Sequence, residues 1–83
     1  MTAALTLYTR KDCGLCEEMK AAVEAAGRKI AITLEVIDVD SSAELAARYG
    51  SEVPVLFING RKAFKYRVEA KELERRLRAQ AKG

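Results

Sequence analysis

The sequence predicts an α/β domain, a four-stranded mixed sheet with three helices in the order βαβαββα, and three observations carry that prediction. A β-favouring apolar run at residues 5–9 gives way at Cys13 to a helical period. A second such run, residues 32–39, leads into another helical stretch, and this alternation builds parallel strands through a crossover. Asn59-Gly60 then separates two short runs and is the strongest two-residue hairpin signal.

Leu5, Thr6, Leu7, Tyr8 and Thr9 make the first strand, expected to be buried on both faces, and Arg10, Lys11 and Asp12 end it. From Cys13 onward Leu15, Met19, Ala22 and Ala26 recur at three- and four-residue steps, which predicts a helix closed by Gly27 just beyond its last turn. Gly14 falls in the first turn, where low propensity costs least. The second strand runs from Ile32 or Thr33 to Val39, and β-branched Thr33, Val36, Ile37 and Val39 carry its signal. Ser41 with Glu44 reads as a capping box for a short helix that places Leu45 and Tyr49 on one face and stops at Gly50.

Val55, Leu56, Phe57 and Ile58 form the third strand, and residues 61–66 return antiparallel to it. The last helix is predicted over 69–79, with Ala70, Leu73 and Leu77 as a narrow apolar stripe and residues 80–83 fraying. A right-handed crossover sets the first two strands parallel, with helices on the two sheet faces. The 83 residues are read as one domain spanning 1–83, with a thin core, because chains of this size bury only about 60% of their unfolded surface.

The net charge is +3, and the basic residues lie mostly after Gly60, where Lys71, Arg75 and Arg78 alternate with Glu69, Glu72 and Glu74. That pattern reads as a solvated helix face rather than a nucleic-acid stripe. No stretch approaches the roughly 20 apolar residues of a membrane span, and residues 1–9 lack the basic region and long apolar run of a secretory leader. The expectation is a soluble, cytoplasmic monomer.

The only two cysteines are Cys13 and Cys16, in Cys13-Gly14-Leu15-Cys16 at a strand-to-helix junction. In a reducing cytosol such a pair reads as catalytic or metal-binding rather than as a staple. Thiol exchange needs one exposed sulfur that is a thiolate near neutral pH and a second sulfur able to expel the mixed disulfide. Cys13, beside unpaired N–H groups at the positive end of the helix dipole, fits the first role, and Cys16, one turn further in, fits the second. Arg10 and Lys11 favour a Cys13 thiolate, whereas Asp12, Glu17 and Glu18 oppose it. The short-range helix terminus outweighs these screened charges, so Cys13 is expected to be ionised at pH 7. The chain has no histidine, and a protease-like use of Cys13 would lack its general base.

Pro54 is the only proline and precedes the third strand; by itself it reads as a trans strand opener. Together, Leu7-Tyr8-Thr9, Cys13-Gly14-Leu15-Cys16 and Val53-Pro54-Val55-Leu56-Phe57-Ile58-Asn59-Gly60 resemble a small glutaredoxin-like protein of the thioredoxin fold. The resemblance implies a dithiol oxidoreductase with Cys13 and Cys16 catalytic. It also implies a cis Val53-Pro54 peptide facing the cysteines, and a Val53 backbone that pairs with a bound disulfide. The substrate-binding set then comprises Arg10, Lys11, Gly14, Leu15, Val53 and Pro54. Glutaredoxins that use glutathione carry a Gly-Gly pair and an acid after the fourth strand, where this chain has Phe64-Lys65-Tyr66-Arg67. Gly-Leu also replaces the family's usual Pro-Tyr between the cysteines. Thioredoxin itself fits less well, because its buried acid would fall at Leu7 and its tryptophan at Asp12.

The expected substrate is a disulfide-containing protein or a small thiol compound, with electrons supplied by a reductase or by glutathione and with no bound cofactor. The alternative is a metal or iron-sulfur module. Two thiolates make half a tetrahedral site, so four ligands would require a dimer or glutathione. A copper chaperone would carry methionine at the position of Lys11. A third reading is a docking domain whose thiols are incidental.

Overall fold

The computed structural model describes residues 2–82. Its elements are β1 (Ala3–Thr9), α1 (Gly14–Gly27), β2 (Ile32–Asp38), a single 3-10 turn (Val39–Ser41), α2 (Ala43–Tyr49), β3 (Val55–Ile58), β4 (Arg61–Lys65) and α3 (Ala70–Lys82). The sheet order is β2-β1-β3-β4, with β1 and β2 parallel and the other two pairings antiparallel. This is the mixed four-stranded sheet with three helices that the sequence predicts. Asn59 and Gly60 both have positive φ, 51° and 83°, the backbone twist that a two-residue hairpin between β3 and β4 requires.

One face of the sheet carries the core. Leu5 and Leu7 of β1 and Leu56 and Ile58 of β3 pack against Met19, Val23 and Ala26 of α1 and Leu73 and Leu77 of α3. On the other face Tyr49 of α2 stacks on Tyr8, with ring centroids 4.6 Å apart, and meets Phe57 edge-on at 5.8 Å. Here β1 departs from expectation: Leu5 and Leu7 are buried while Thr6 and Tyr8 are only half-buried. Two long helices cover one face, and a seven-residue helix with no fully buried side chain covers part of the other.

Three helix boundaries also move. Gly27 is the last helical residue of α1, with Arg28 at the C-cap in ordinary right-handed conformation, and a Cβ on Gly27 would press on Ile32 Cδ1 at 3.0 Å. The α1 stripe that buries is Cys16, Met19, Val23 and Ala26, whereas Leu15 and Ala22 are half-buried. The cap of α2 is Ser42, whose hydroxyl accepts from the Leu45 N–H at 3.4 Å. Ser41 belongs to the 3-10 turn and donates to the Asp38 carbonyl at 2.7 Å, so the helix starts one residue late. α3 continues to Lys82, past the expected end at Ala79, and Asn59 Nδ2 donates to Gln80 Oε1 at 3.2 Å. Of the segment expected to fray, Gly83 lies outside the described residues.

Candidate functional site

β1 delivers the chain to the site, and one residue turns it. Asp12 sits at φ 56°, the left-handed region that Asp tolerates better than most residues, and this bend points the next residue into the start of α1. Cys13 is the N-cap, with extended backbone (φ −107°, ψ 102°), and its Sγ accepts from the Cys16 N–H at 3.1 Å. A sulfur thus occupies the place of the usual capping oxygen, on one of the helix's otherwise unpaired donors. Cys13 and Cys16 are joined as a disulfide, with Cα atoms 5.2 Å apart. Cys13 is half-buried, whereas Cys16 is 4% exposed. The outer sulfur can therefore be approached, and the inner one is reached through it.

Arg10 is held on three sides. Its Nε and Nη2 each lie 2.9 Å from an Asp40 carboxylate oxygen, and Nη1 donates to the Gly50 carbonyl at 3.1 Å. The cysteine loop is thereby tied to the turn after β2 and to the end of α2. The Arg10 hydrogen bond is the main cause that holds the Asp40 carboxyl below its ordinary value of 3.8, and the same bond raises Arg10. Because the folded value is the depressed one, the pair contributes stability above about pH 3.8 and loses it as pH falls through the folded value. Both side chains are about two-fifths exposed, so salt screens the contribution. Asp40→Asn is expected to lower the thermal midpoint slightly at pH 7 and low salt, with the difference from the parent shrinking as pH falls below 3.8. A difference that does not shrink with falling pH would mean the carboxylate acts otherwise.

Lys11 and Gly14 are exposed, and a Cβ on Gly14 would meet nothing within 4 Å. Both line a cleft of about 420 Å³ on the β2 side of the disulfide, together with Cys13, Cys16, Lys20 and Val36. Leu15 turns to the opposite side, into a second cleft of about 420 Å³ between α1 and the segment joining β4 to α3. The Val53-Pro54 peptide is cis. Tyr8 pairs with Val55, which puts Pro54, buried, and Val53, half-buried, at the carboxyl end of β1 where the cysteine loop begins. The structure thus gathers Arg10, Lys11, Cys13, Gly14, Leu15, Cys16, Val53 and Pro54 at one end of the sheet. Within that group Arg10 is engaged by Asp40.

Sequence reasoning missed three residues here. Asp40 reads as a strand terminator, and its pairing with Arg10 across 30 positions leaves no local signal. Val36 reads only as a β-branched strand former, yet it is 46% exposed at the edge of the first cleft. Tyr66, expected to end β4, lies beyond it at φ 69° with its N–H donating to the Pro54 carbonyl at 2.8 Å. Among the described residues, no group of three or more His, Cys, Asp or Glu could hold a metal ion, so a metal on this cysteine pair would need ligands from elsewhere. No helix among them is long and apolar enough to cross a membrane.

Residues 4–78 match the family described as glutaredoxin-like domain (DUF836). The chain belongs to this glutaredoxin-like family. Among solved structures, a protein from X. campestris is similar at 37% identity and TM-score 0.74, over 90% of this chain and 96% of that one. Protein Ne2328 from Nitrosomonas europaea is similar at 32% identity and TM-score 0.75, over 89% of each chain. A mutant thioredoxin from Halobacterium salinarum is similar at 26% identity and TM-score 0.63, over 93% of this chain and 73% of that one. The glutaredoxin-like chain therefore has the thioredoxin fold and carries a redox-capable cysteine pair at the head of α1.

Proposed function

We propose that this glutaredoxin-like protein is a thiol–disulfide oxidoreductase that reduces disulfides of proteins or small molecules through a Cys13/Cys16 couple. The observation that carries the reading is the asymmetry of the pair: Cys13 is reachable at the helix cap, and Cys16 is buried one turn inside with its N–H on the Cys13 sulfur. That N–H and the helix dipole favour negative charge on Cys13 once the disulfide is reduced.

In the reduced protein the Cys13 thiolate attacks one sulfur of the substrate disulfide. A Cys13–substrate bond forms, and the other substrate sulfur leaves as a thiolate that takes a proton from water. Cys16 then gives its proton to water and attacks Cys13 Sγ, which restores the Cys13–Cys16 bond and expels the second substrate thiolate, protonated in turn. The substrate gains two electrons and two protons; the protein couple loses the two electrons and the Cys16 proton, and solvent supplies the second proton. No histidine is needed, since water supplies and accepts the protons. A reductase or a pair of glutathione molecules returns the electrons. We place this work in the cytoplasm, where a reducing thiol pool keeps such a pair cycling.

Equilibration with glutathione redox buffers, read by mass spectrometry after acid quenching, tests the proposal. The expected result is a reversible two-electron transition of the Cys13–Cys16 pair, between about −270 and −120 mV, the span of known C-x-x-C proteins. A persistent Cys13–glutathione adduct would identify glutathione as a partner, and its absence would favour a reductase or a protein dithiol. A pair that stays in one state across the whole buffer series overturns the proposal.

A further inference from the structure

Tyr66 is held by the fold in a left-handed backbone conformation with its ring turned toward solvent. Its φ of 69° lies in the left-handed region, which bulky aromatic residues seldom adopt, and the residue is 42% exposed. Two bonds hold it: the backbone N–H to the Pro54 carbonyl at 2.8 Å and the hydroxyl to the Ser51 carbonyl at 3.4 Å. The ring fills no core position that would account for it. It does line the cleft on the α3 side of the disulfide, together with Leu15, the residue between the cysteines, and buried Met19.

The charge of that cleft is opposite to that of the molecule. Glu18, Glu69 and Glu72 line it against Arg67, with Lys65 set over the Tyr66 ring, in a chain whose net charge is +3. All three carboxylates are exposed, and none makes an ion pair among the described residues. An aromatic face, an apolar floor and a rim of carboxylates together suit a side chain with an apolar stem and a cationic head. Lys65 already demonstrates the first of these contacts, with its Nζ 5.4 Å from the Tyr66 ring centroid.

We propose that Tyr66 is a specificity-determining residue for the disulfide exchange above, and that the cleft beside it takes a polypeptide disulfide with a lysine or arginine next to the attacked half-cystine. The inference rests on the exchange reading and adds the substrate class to it. A long basic side chain lays its stem along Leu15 and Val68, its head toward the carboxylates, and one face of its charge against the ring. Glutathione, with two carboxylates and one amine, meets the wrong sign of charge there.

The test compares two peptide disulfides of equal length, one with Lys and one with Glu beside the half-cystine, under a dithiol donor. The full chain should show a kcat/KM at least about tenfold higher for the Lys peptide at low ionic strength, and this ratio should shrink as salt is raised toward about 1 M. Glu69→Gln combined with Glu72→Gln should reduce the ratio severalfold. Tyr66→Asn, which keeps a residue tolerant of the left-handed backbone, should also reduce it, whereas Tyr66→Phe should retain most of it. A ratio taken on one protein sample does not depend on the fraction folded. Turnover with equal kcat/KM for the two peptides overturns the specificity proposal alone. No turnover with either peptide overturns the exchange reading and this inference with it.

Discussion

Cys13→Ser is expected to abolish disulfide exchange, whereas Cys16→Ser is expected to stop it one step later and let a mixed disulfide accumulate. The two residues are three positions apart, yet the fold gives them different access. Cys13 caps α1 at the edge of the β2-side cleft; Cys16 is 4% exposed beneath it. Serine at position 13 removes the only reachable nucleophile, and the loss should be at least about 10³-fold, on the scale seen when other enzymes lose a covalent nucleophile. Serine at position 16 leaves the first attack intact and removes the group that completes it. Intact-mass measurement after mixing with a peptide disulfide should then show one covalently attached half-peptide, released by a strong dithiol. Substantial turnover by the Cys13→Ser protein, or trapping on Cys16 instead, would reverse the assigned roles.

The features legible in the sequence are those fixed by one short stretch. Asn59-Gly60 demands positive φ at two successive residues, and the β3–β4 hairpin follows. The break between the run ending at Thr9 and the period starting at Cys13 locates the cysteine pair at a strand-to-helix junction, where Cys13 caps α1. What escaped depends on distant residues or on competition between neighbours. Ser41, with Glu44 three residues on, is the better cap in isolation; the 3-10 turn after Asp38 claims it and leaves Ser42 for α2. Arg10 reads as a free basic residue until Asp40 and Gly50 close on it from other elements. The left-handed backbone of Tyr66 has no signature in a Phe-Lys-Tyr-Arg run, because the bonds that hold the residue go to the Pro54 and Ser51 carbonyls, outside that run.

The same asymmetry of covering predicts where the molecule is fragile. Leu56 is fully buried at the centre of β3, between β1 and β4, and its partners Leu7 and Phe64 lie on the helix-covered face. Leu56→Ala removes three buried carbons and leaves a cavity that closely packed neighbours fill only in part, at a cost of about 2–5 kcal/mol. A chain of 83 residues has a total stability of about 4–12 kcal/mol, so this change takes a large share of it. The thermal midpoint should fall by roughly 10–30 °C. Leu45→Ala, the same chemical deletion, falls on α2, which covers part of the opposite face and has no fully buried residue. There the surroundings are partly solvent in the folded state already, and the loss should be under half as large. Equal losses from the two variants, measured by denaturant unfolding at one pH, would mean that α2 and its aromatic contacts with Tyr8 and Phe57 hold the sheet as firmly as α1 and α3 do. The unequal result would place the stability of the redox end in the α1–α3 layer, the layer that also buries Cys16.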